Sequence, residues 1–83
     1  MTITLELNSL LDDFLPDDAP LGRGRLDLAE GGTVQAVIDR LGIPPHRVHL
    51  AYVNGRLLDR SLWEDRALCD GDVVALWPLL AGG

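Results

Sequence analysis

Lysine is missing altogether: all seven basic residues are arginine. No side-chain amine is therefore available for a Schiff base or for accepting an isopeptide bond. Cysteine occurs once, at Cys69, which excludes an internal disulfide and a cysteine metal cluster. Aromatics are scarce, with one Tyr, one Phe and two Trp. No basic cluster is present, and the net charge is −6, which argues against nucleic acid and anionic membrane as partners and favours a basic protein surface. The longest apolar run, Val73 to Ala81, is interrupted by Pro78 and is far short of the roughly 20 residues that cross a bilayer. The start, "MTITLELNSL", lacks the basic and long apolar regions of a signal peptide, so a cytoplasmic location is expected.

Catalytic patterns are missing too. "GRG" at 22–24 lacks the spacing of a phosphate-binding loop, and no Ser-His-Asp set comes together credibly. His46 and His49, three residues apart, lie where a proline-led loop enters a strand, a poor geometry for sharing a metal. The expectation is a protein without catalytic groups or a bound metal of its own.

What is present suits a single small domain over 1–83. Nearly half of the 83 residues are apolar. A chain this short buries only roughly two-thirds of its unfolded surface, so the core has to be used efficiently. Thr2 to Leu7 alternates, with Ile3, Leu5 and Leu7 on one side, as a strand with one buried face does. "NSLLDDFLP" places Leu10, Leu11, Phe14 and Leu15 at helical spacing before Pro16, and "DDAPLGRG" reads as loop. Asp12, Asp13, Asp17 and Asp18 read as a solvated face, with steering toward a basic partner as the alternative.

"RLDLAE" gives a second short strand. Thr33 then reads as the N-cap of the main helix, in which Val34, Val37, Ile38 and Leu41 repeat at i, i+3, i+4 and i+7, and Gly42 suits the C-terminal cap. "VHLAYV" is a strand, Asn54-Gly55 a type I′ hairpin signal leading into "RLLD", and "SLWEDRALC" irregular or a single turn. "DGD" turns the chain into a last strand, "VVALW". Cys69 beside that turn reads as a small apolar filler.

The pattern predicts an α+β domain, a sheet of four to five strands with one main helix on one face. The last strand is apolar on both sides, Val74 and Leu76 opposed by Val73, Ala75 and Trp77. The strand at 48–53 behaves alike, with Val48, Leu50 and Tyr52 opposed by Ala51 and Val53. Either the uncovered face is a contact site, or these are central strands shielded by long neighbours. Pro78, without an amide hydrogen, is expected to end sheet pairing and to start an extended tail over 78–83.

"VNGR", "DGDVVALWP" and the terminal "AGG", in that order across nearly the whole chain, resemble the ubiquitin-like sulfur carriers. That family includes the small subunit of molybdopterin synthase and the thiamine-pathway carrier. The resemblance implies a mixed-sheet β-grasp fold with the last strand beside the first. It also implies that an E1-like enzyme uses ATP to adenylate the carboxylate of Gly83, after which a sulfur donor system converts it to a thiocarboxylate. No cofactor would be bound by the carrier itself. Gly82 and Ala81 would be the slim tail, and Trp77, Pro78, Leu79, Leu80, Val73 and Ala75 the partner-binding residues. The other readings are a flexible terminus for Gly83 and a core position for Trp77.

The segment between the first two strands and the Trp77-Pro78 pair look more like the molybdopterin-synthase small subunit, whose acceptor partner is the large subunit. The ending lacks the second proline often seen there. Thiazole synthase or a cysteine-forming enzyme are alternative acceptors, and a non-conjugating interaction module is the alternative of another class.

Overall fold

The computed structural model describes residues 1–7 and 23–78. The expected helix at 8–16, the loop and acidic residues after it, and the tail from Leu79 to Gly83 lie outside the described residues. Among the described residues there are five strands: β1 (Thr2–Leu7), β2 (Arg23–Asp27), β3 (Val48–Val53), β4 (Arg56–Leu57) and β5 (Val73–Pro78). They form one sheet in the order β2-β1-β5-β3-β4. β1 and β5 run parallel and every other pair is antiparallel, so the sheet is mixed and its last strand is central, beside the first. This is the β-grasp arrangement.

The helix α1 (Val34–Leu41) follows its sequence pattern closely. The Thr33 hydroxyl accepts from the Ala36 amide, as an N-cap does, and Gly42 closes the other end at φ 73°. Val34, Val37 and Ile38 are fully buried, and Leu41 packs at the edge of the core. Facing them from the sheet are Ile3, Leu5 and Leu7 of β1, Val74 and Leu76 of β5, and Ala51 and Val53 of β3. Among the described residues the eight-residue α1 covers one side of the sheet, so the other side is the one to examine for function.

Four expectations need correction. β5 does not stop before Pro78: Pro78 is buried and pairs with Val48. A proline lost only its donor, and at a strand's last position its extended backbone still fits the ladder. Val48 does not share a face with Leu50 and Tyr52, because the β3–β5 register shifts between Val48 and Leu50 and turns Val48 into the core. "RLLD" supplies only two strand residues; Leu58 leaves the strand and is buried. Cys69 is exposed rather than filling the core, and its amide donates to Asp72 Oδ2 within the turn.

Trp63 was not singled out by any sequence pattern, yet it closes the bottom of the core. It is buried, donates from Nε1 to the Leu58 carbonyl at 3.1 Å, and lies beneath the Arg60 guanidinium at 4.6 Å. Arg60 also donates to the Val48 carbonyl at 2.6 Å. The polar end of the ring is thus satisfied, as burial of an indole requires.

Candidate functional site

Strand alternation places Val73, Ala75 and Trp77 on the sheet face away from α1. Cross-strand register builds the rest of that face. Tyr52 stands opposite Ala75, Leu50 opposite Trp77, and Leu57 opposite Tyr52. On the other flank Glu6 is level with Ala75 and Arg23, and Thr4 with Val73 and Arg25. The face is therefore divided. The β5-β3-β4 half is apolar, and the β1-β2 half is polar and charged, with Arg23 and Glu6 in an ion pair at 2.8 Å.

Within the apolar half Trp77 is 42% exposed and Leu57 59% exposed. Trp77 is not a core residue. Its ring meets Tyr52 edge to face, with centroids 6.5 Å apart and planes at 67°. Such a pair holds both rings in fixed positions without hiding them. Beside them runs a groove of about 420 Å³ lined by Glu6, Tyr52, Asn54, Gly55, Val73, Ala75 and Trp77. The structure thus brings together Val73, Ala75 and Trp77, and adds Leu50, Tyr52 and Leu57. Pro78, expected on the same surface, faces the core instead.

The groove's rim is set by two turns. Asn54 and Gly55 both have positive φ, 53° and 81°, as a type I′ hairpin needs. Asn54 Nδ2 donates to Asp72 Oδ1 at 2.9 Å, and Asn54 Oδ1 accepts from the Val73 amide at 2.9 Å. The Asn54 amide donates to the Val73 carbonyl at 2.8 Å. These bonds tie the β3–β4 hairpin to the entry of β5. His46 and His49 are exposed at the start of β3, on no common site with this groove.

A fixed, half-exposed aromatic pair over small aliphatic neighbours can bind a protein surface. The face holds no constellation of groups suited to acid–base or nucleophilic chemistry among the described residues. A family model described as the ThiS family matches residues 19–83, which hold the apolar half of this face but not Thr4 and Glu6 of β1. The chain belongs to the ThiS family. No curated protein matched the sequence.

Among solved structures, this ThiS-family chain is similar to small archaeal modifier protein 1 of Haloferax volcanii. The identity is 24%, 95% of this chain and 98% of that one are covered, and the TM-score is 0.68. It is also similar to a chain in the complex of subunits 1 and 2 of the molybdopterin-converting factor of Helicobacter pylori, at 17% identity, full coverage of both chains and a TM-score of 0.60. The thiamine biosynthesis protein ThiS of Geobacter metallireducens matches at 21% identity over 96% of this chain and 99% of that one, with a TM-score of 0.60. What these structures share with the chain is the fold, a mixed five-stranded sheet with a helix packed on one face.

Proposed function

We propose that the chain is a sulfur carrier whose working group is the Gly83 carboxylate. An E1-like enzyme transfers AMP from ATP to that carboxylate and releases pyrophosphate. A persulfide donor then attacks the acyl carbon, AMP leaves, and a thiol cleaves the resulting S–S bond to free the thiocarboxylate. A carboxylate is a poor acyl donor, and adenylation supplies the leaving group. Gly82 and Gly83 carry no Cβ to obstruct entry into a partner's active site. Leu79, Leu80 and Ala81 are the segment that the receiving channel grips.

The observation that carries this reading is the apolar sheet face that ends at Trp77, at the root of the tail, in a chain of the ThiS family. A partner that seats on Trp77, Tyr52, Val73 and Ala75 receives the tail that leaves the same strand. We favour the molybdopterin branch, in which the acceptor is the large synthase subunit. The segment between β1 and β2 and the Trp77-Pro78 pair support it, and the similarity to a chain from a two-subunit complex is in keeping with it. The thiamine branch would offer thiazole synthase to the same face.

The test is reconstitution. Incubation with ATP, the activating enzyme and a sulfur donor should exchange one oxygen for sulfur at Gly83. The loaded carrier is then offered to each synthase in turn. Sulfur transfer with thiazole synthase and none with the molybdopterin-synthase large subunit overturns the branch. An unchanged mass with a demonstrably active activating enzyme overturns the carrier reading and leaves the non-conjugating interaction module.

A further inference from the structure

We propose that Asn54 is a site of spontaneous covalent modification, deamidation through a succinimide, and that Asp72 holds the reaction in check. Asn54 is exposed and precedes Gly55, whose lack of a side chain leaves its backbone nitrogen open to attack on a neighbouring carbonyl carbon. In the reaction the Gly55 nitrogen bonds to Asn54 Cγ. The Cγ–Nδ2 bond breaks, and ammonia leaves with the proton from the Gly55 nitrogen. Water then opens the ring at either carbonyl, leaving aspartate or isoaspartate at position 54. One water is consumed and one ammonia released, so no further reactant is needed.

The fold opposes the first step through specific bonds. The side-chain amide is held at both ends, Nδ2 on Asp72 Oδ1 and Oδ1 on the Val73 N–H, each at 2.9 Å. Cγ cannot swing onto the Gly55 nitrogen until both are released. Asp72 is itself fixed, since its Oδ2 accepts from the Cys69 amide at 2.8 Å. The bond to Asp72 has a charged acceptor and is the stronger of the two restraints.

The consequence falls on the groove. Deamidation replaces the donor facing Asp72 with a second carboxylate at hydrogen-bond distance, so attraction becomes repulsion. An isoaspartate also adds a methylene to the backbone of a two-residue hairpin, where loop length fixes register. Asn54 and Gly55 both line the groove beside Trp77. The modification therefore loosens the rim of the docking face and makes it more acidic.

Trypsin cuts after Arg47 and Arg56, which isolates Asn54 in the peptide VHLAYVNGR. The protein is incubated folded at mildly alkaline pH, and in parallel denatured in guanidinium, and aspartate and isoaspartate in this peptide are followed by chromatography and mass spectrometry. Product should accumulate in both samples, with the folded chain slower by about tenfold or more, because a charge-assisted hydrogen bond must open first. Asp72→Ala should recover most of that factor, whereas Asp72→Asn, which keeps an acceptor oxygen in place, should recover less. Equal rates in folded and denatured wild type overturn the proposal, whatever the variants do, as does the absence of product from both. A folded Asp72→Ala that reacts no faster than wild type overturns the role given to Asp72.

Discussion

Trp77 shows how much one residue decides. It sits on a central strand with buried neighbours on either side in sequence, Leu76 and Pro78, yet it is itself 42% exposed. Edge-to-face contact with Tyr52 fixes the ring at little cost in ordering when a partner arrives. Trp77→Ala should leave the unfolding midpoint nearly unchanged and weaken binding to the activating enzyme by at least about 2 kcal/mol, the scale of an aromatic hot spot. Calorimetric titration beside a thermal melt checks both. An equal loss of stability and binding would return Trp77 to the core. Asn54→Asp should lower stability by about 1–3 kcal/mol, since it leaves two facing carboxylates where a hydrogen bond stood.

Elements differ in how far the sequence announces them. α1 was fully legible: the 3.6-residue spacing of Val34, Val37, Ile38 and Leu41, the Thr33 cap and Gly42 all act locally. Thr33→Ala should therefore cost about 1 kcal/mol in denaturant unfolding. Ile38→Ala should cost about 2–5 kcal/mol, since a fully buried side chain is cut back beneath the sheet. The face of Val48 was not legible, because a bulge depends on how β3 meets β5 and leaves no mark in alternation. Trp63 escaped notice for a like reason. Its burial comes from the Leu58 carbonyl and Arg60 closing over an irregular segment, which has no period to read. Pro78 was read by its missing donor alone, while its place in the ladder rests on the strand beside it.

For the whole molecule, the divided sheet face and the charge act together. The apolar half of the face was legible as two strands lacking polar alternation; among the described residues α1 packs on the opposite side, and Trp77 and Leu57 are left exposed. The chain carries a net charge of −6, so association with a basic partner should be electrostatically accelerated. Raising ionic strength should slow the association rate by more than it speeds dissociation, which stopped-flow mixing at several salt concentrations would show. A rate indifferent to salt would mean that apolar contact alone directs docking. The lysine-free sequence also means that no side chain can accept an isopeptide bond from an activated C-terminus, its own or another's.

The central claim is that the described domain presents a tail for activation and takes no part in its chemistry. The buried residues described lie between Ile3 and Pro78, so removing Gly83 should leave the fold untouched. The most direct measurement is intact mass after incubation with ATP, the activating enzyme and a sulfur donor, for wild type and for the chain lacking Gly83. The account predicts one oxygen-for-sulfur exchange in wild type, located to Gly83 by fragmentation, and none in the shortened but folded chain. An exchange that persists without Gly83, or an unmodified wild type beside an active enzyme, would contradict it.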